Sequence, residues 1–169
     1  MDEENGVEMI KEAYKRKEGE NAVEYLKRLE NSGEFVFHGS PNRDIAVMEP
    51  RPATDTSGDS FKNDTAVFAD ARSAYAILRA LIPSRDKVSG DWTLSTGMRK
   101  GIPEIQASED IARMFGTERG MVYVMPKKDF EESKDLVQWK SKNPEKPFYK
   151  VEVGIEDYKS VGGKIEVVR

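Results

Sequence analysis

A chain of 169 residues, 37% hydrophobic and 34% charged, can bury about two thirds of its unfolded surface around one core. With no cysteine and a single histidine, it excludes disulfides, thiolate zinc sites and a cysteine nucleophile, and shows no cluster of metal ligands. A net charge of −4 opposes strong nonspecific nucleic-acid binding, no apolar run approaches a membrane span, and Met1-Asp2-Glu3-Glu4 is unlike a signal peptide, so a cytoplasmic protein with no membrane partner is expected.

Residues 1–33 read as one or two polar amphipathic helices, an extension to a domain covering 34–169. Ala22, Tyr25, Leu26 and Leu29 recur at helical spacing, Asn21 is placed to cap the start, and Gly33 to end it. Gly19 interrupts an earlier helix-permissive stretch, and Lys15-Arg16-Lys17 reads as a solvated face. A short strand, 35–38, precedes a long Pro-, Asp-, Ser- and Gly-rich loop, 40–64, which is either a binding loop or a surface excursion. Thr65 to Ala69 reads as a buried strand. Asp70 then caps a helix over 71–82 that Pro83 ends.

The segment 84–104 reads as loop-rich, with short strands near Trp92 and Leu94. Ser108 opens a helix that Gly116 stops. Residues 120–126, 136–141 and 148–153 are strands, and Gly162-Gly163 turns into a last one at 164–168. In 148–153, Tyr149, Val151 and Val153 share one face; Phe148, Lys150 and Glu152 share the other. Short turns between the late strands imply an antiparallel sheet, hence an α+β order.

The only histidine, His38, closes the run Phe35-Val36-Phe37 and is followed by Gly39-Ser40-Pro41. Imidazole can donate or accept near neutral pH, and glycine admits close approach to the main chain. His38 is therefore either a ligand-binding group or a strand end bonded to nearby main chain.

Phe37-His38-Gly39-Ser40, then Val67-Phe68-Ala69-Asp70, then a helix with Ser73 and Tyr75, resembles the histidine–tyrosine–glutamate group of ADP-ribosyltransferases, which includes poly-ADP-ribose polymerases and small bacterial relatives. The resemblance covers residues 35 to about 155, without the long loops. It implies an ADP-ribosyltransferase-like split antiparallel sheet with flanking helices, and NAD as substrate. By resemblance, the cofactor-binding set is His38, Gly39, Ser40, Phe68, Ala69, Ser73 and Tyr75. His38 would bond the adenosine ribose, the Gly39 main chain the nicotinamide amide, and Tyr75 would stack on the nicotinamide ring.

Two positions depart from the family pattern. The polymerase tyrosine corresponds to a place near Leu78, one turn beyond Tyr75. Where relatives place a carboxylate on a late strand, this chain has Gln138, which can orient a hydroxyl but carries no charge to stabilise a developing cation. Glu152 is the remaining carboxylate candidate. The catalytic set is thus His38, Tyr75, Gln138 and Glu152, and no metal is implied. The leading expectation is a mono-ADP-ribosyltransferase, slow or degenerate, acting on an unknown protein or nucleic-acid acceptor. A non-catalytic nucleotide- or protein-binding module on the same fold is the alternative. An RNA 2′-phosphotransferase, drawing on Arg43, Arg51 and Arg72, is weaker, and a Ser40 hydrolase lacks a nucleophile elbow.

Overall fold

A computed structural model of the chain describes residues 3–52, 64–134 and 137–169. Its helices are α1 (Glu3–Ala13), α2 (Ala22–Ser32), α3 (Ser73–Ala80), α4 (Glu109–Met114) and α5 (Ile155–Ser160). Its strands are β1 (Phe35–Ser40), β2 (Arg51–Pro52), β3 (Thr65–Asp70), β4 (Leu94–Arg99), β5 (Ile102–Ala107), β6 (Gly120–Pro126), β7 (Glu131–Glu132), β8 (Gln138–Ser141), β9 (Tyr149–Val153) and β10 (Lys164–Val167). This is a mixed α+β architecture. The larger sheet runs β7-β8-β3-β1-β6-β9 with β2 beside β3, and the smaller one β10-β5-β4. Within the expected loop 40–64, the stretch 53–63 lies outside the described residues.

Strand β6 and the first three residues of β1 are buried on both faces, which is why they read as apolar runs. On one face Phe35, Phe37, Val122 and Val124 join Tyr25, Leu26 and Leu29 of α2 and Ile77 and Leu78 of α3 in the main core. On the other, Val36, Tyr123 and Met125 pack with Val67, Met48 and Phe130 in a second cluster. The N-terminal segment therefore shares its core with the sheet. Asn21 caps α2 by accepting from the Glu24 N–H at 2.8 Å, and Gly33 ends it at φ 74°. At the edge, β9 alternates as its sequence implies: Val151 and Val153 are buried, Lys150 and Glu152 exposed.

Several expectations change in detail. Asp70 ends β3 and does not cap α3, because its carboxylate is taken by the Arg72 main chain and guanidinium at 2.8 Å. The segment read as loop-rich holds the β4–β5 hairpin, turned by Lys100 (φ 52°) and Gly101 (φ 79°). Ser108 does not cap α4 with its side chain; its hydroxyl donates to the Asp91 carbonyl. The last strand, β10, pairs parallel to β5 rather than antiparallel. The six-residue α5, too short to show periodicity, carries the chain from β9 to the smaller sheet and makes that pairing possible. Its first turn is closed by Asp157, which accepts from the Gly154 N–H.

Candidate functional site: a notch between strands

Main-chain polarity opens a gap in the larger sheet. The Glu34 carbonyl accepts from Lys127, and the Val124 carbonyl from Phe148. Val36, His38 and Ser40 therefore turn their main-chain groups toward β6, while Phe37 and Gly39 turn theirs toward β3. The β1–β3 ladder consists of one pair, Phe37–Asp70. Further along, β2 pairs with β3 through Arg51–Ala66. Pro52 has no N–H, so the ladder bonds run through Arg51 and Ala66, and Ala66 faces the same edge as Phe68 and Asp70. The edge of β3 is thus shared by β1 and β2, with a notch between them where Gly39 and Phe68 would have paired.

His38 sits at the base of this notch. Its Nδ1–H donates to the Phe68 carbonyl at 2.7 Å, the carbonyl that the missing ladder partner would have used. This bond fixes the tautomer and leaves Nε2 as an acceptor. Burial pulls the imidazole below its ordinary 6.5, and the Arg79 and Arg51 charges add to that; the Phe68 carbonyl opposes it. The ring is therefore neutral at pH 7.

Gly39 has two roles, and its place in the sequence indicates only the open main chain. Its α-carbon faces α3, not a ligand: a Cβ there would lie 1.8 Å from the Ala76 carbonyl oxygen and 2.8 Å from the Ala80 nitrogen. Gly120 of β6 receives the same helix, 2.0 Å from the Ala80 oxygen by the same construction. The two glycines let α3 lie directly on the sheet. The open side of Gly39 is its peptide edge, whose N–H and C=O point into the notch without a ladder partner on β3.

The other candidate residues are distributed around this point. Phe68 lines the notch with its carbonyl, and Ala69 is buried opposite Trp139. The Ser40 hydroxyl accepts from the Asn42 N–H and holds the following turn. Ser73 gives both its N–H and its hydroxyl to Glu30 of α2, at 2.6 and 2.8 Å. Glu30 thereby anchors the start of α3, a role its sequence position does not announce. Tyr75 is half-buried, bonded to Thr96 of β4 at 2.8 Å, with the Arg72 guanidinium 5.2 Å from its ring centre. One face of the ring thus already carries a cation. Leu78, the place the family pattern gives to the tyrosine, is fully buried in the core.

Gln138 and Glu152 fall on opposite flanks of β1. Gln138 pairs with Asp70, which pairs with Phe37; Glu152 pairs with Met121, which pairs with Ser40. Each is two strands, about 10 Å, from β1. Glu152 is held by Arg43 at 2.8 Å and Arg119 at 3.3 Å, and these partners keep its carboxyl below the usual range. Asp70 is engaged by Arg72. Neither Glu152 nor Asp70 is therefore a free carboxylate.

What the fold and site define is a mixed α+β protein with a main-chain notch at its only histidine. Compared with protein-family models, curated proteins and solved structures, the chain matches none of them.

Proposed function

We propose that the notch binds NAD, and that the protein is an ADP-ribosyltransferase-like NAD-binding protein, slow in turnover. The observation that carries this reading is the unpaired peptide edge of Gly39. An N–H and a C=O on one edge are complementary to a carboxamide, which offers one acceptor and one donor side by side, as the nicotinamide amide does. The Nε2 of His38, left as an acceptor, suits a ribose hydroxyl.

Transfer would break the bond between the ribose anomeric carbon and the nicotinamide nitrogen. The electron pair goes to the nicotinamide ring, and an acceptor oxygen or nitrogen forms the new bond and loses its proton to solvent. A fixed negative charge lowers that barrier, and loss of one preorganised electrostatic group, such as an oxyanion-hole donor, typically costs a factor of about 10²–10³. Uncharged Gln138, with Glu152 tied to two arginines, supports slow transfer or slow NAD hydrolysis. The same two facts favour a second reading, a module that binds the nucleotide and does no chemistry.

Calorimetric titration of NAD into the wild type and His38→Ala, followed by proton NMR of the samples for nicotinamide, separates these. Binding that depends on His38 with nicotinamide released supports the enzyme. Binding without release supports the module. No binding at millimolar NAD refutes both.

A further inference from the structure

Six of the eleven arginines are held by carboxylates: Arg28 by Glu20, Arg43 by Glu152, Arg72 by Asp70, Arg99 by Glu104, Arg113 by Asp110, and Arg119 by Glu152 and Glu156. Of the others, Arg16 and Arg85 lie over the Tyr25 and Trp92 rings, whereas Arg51 and Arg79 flank the notch. Both are exposed, and among the described residues neither forms an ion pair. They also approach the same place from two elements. Arg51 is fixed by its pairing with Ala66, two residues along β3 from Phe68, so it lies on the β2 side of the notch. Arg79 lies in the turn of α3 between Ala76 and Ala80, the residues that sit over Gly39. Both charges are close enough to act on the His38 imidazole.

We propose that Arg51 and Arg79 form an anion clamp at the mouth of the notch, which takes the diphosphate of a nucleotide and makes the site select nucleotides over nucleosides. The clamp rests on the reading of the notch as a ligand site, and it names the part of the ligand that reading leaves undefined. Two exposed cations beside a neutral imidazole, with no carboxylate paired to either among the described residues, gain little from the fold itself. A diphosphate between them supplies the missing counter-charge and accepts charge-assisted, forked hydrogen bonds, the geometry for which guanidinium is suited. The placement is also consistent in order. The Gly39 edge holds one end of a dinucleotide at the base of the notch, and the charges stand at its rim.

The test titrates ADP, NAD and nicotinamide, by calorimetry, into the wild type, Arg51→Gln, Arg79→Gln and the double variant. Each single substitution is expected to weaken ADP and NAD about tenfold, and the double about a hundredfold. Nicotinamide binding should not change. Arg79→Lys, which keeps the charge but not the fork, should recover part of the loss. Equal affinity of ADP and NAD for the wild type and the double variant would overturn the clamp while leaving the NAD reading standing. Clamp-dependent ADP binding with NAD binding no more tightly than ADP, and unaffected by His38→Ala, would uphold the clamp and overturn the NAD reading. No ADP binding to the wild type at millimolar concentration would overturn the clamp outright.

Discussion

Replacing Gly39 by alanine tests the packing that builds the notch. The added Cβ would lie 1.8 Å from the Ala76 oxygen, where ordinary contact begins at 3.4 Å. The obstacle is helix backbone, which no rotamer change can clear, so α3 would have to shift by about 1.6 Å from the sheet. That shift loosens Ile77 and Leu78, both fully buried beneath the helix. Overpacking costs about 1–3 kcal/mol, and partial exposure of two large apolar side chains adds to it, so a loss of about 3–5 kcal/mol is expected. For a chain of this size that lowers Tm by roughly 10 °C. Gly97→Ala is the control, since a Cβ there meets nothing within 4 Å; it should change stability by less than about 0.5 kcal/mol. Urea unfolding of both variants reads the difference directly. A Gly39→Ala loss below about 1 kcal/mol would refute the claim that α3 rests on this main chain.

The remaining predictions concern strain and protonation. Lys100 holds φ 52° in the two-residue β4–β5 turn, so Lys100→Asn should stabilise the protein by about 0.5–1 kcal/mol in thermal melts. Burial holds the His38 pKa below 6.5, so its contribution to stability is full above that value and falls as pH drops through 6.5 toward the folded pKa. The slope is at most about 1.4 kcal/mol per pH unit. In urea titrations from pH 7.5 to 5, His38→Asn, which keeps a donor near the Nδ1 position, should flatten this slope. Glu20 is lowered from 4.5 to about 2, first by its hydrogen bonds to Arg28. Its stabilisation is present above pH 4.5 and is lost as pH falls toward 2. Glu20→Gln should therefore cost about 1–2 kcal/mol at neutral pH and much less in acid.

The elements most legible in the sequence were those whose signal is local. The cap of α2 by Asn21, its end at Gly33, the alternation of β9 and the strand at 120–126 depend on residues within one element. Features decided by distant partners were not legible. Asp70 looked like a helix cap until Arg72 claimed it, and β10 found a parallel neighbour, β5, about 60 residues earlier in the chain. At the site, His38-Gly39 stood out as a motif, but the reason for the glycine was hidden, because it lies in a helix that follows 34 residues later in the chain. The role of Glu30 and the nearness of Arg79 to His38 left no sequence signal, since both depend on where α3 comes to rest.

Because the chain has one histidine, nitrogen-resolved NMR of its imidazole reports on the notch without ambiguity. Titrating NAD into the labelled protein should move the Nε2 resonance as it accepts a hydroxyl proton, while the Nδ1–H bonded to Phe68 persists. An Nε2 signal unchanged at saturating NAD, or at millimolar NAD with no binding, would contradict the assignment of this notch as the ligand site.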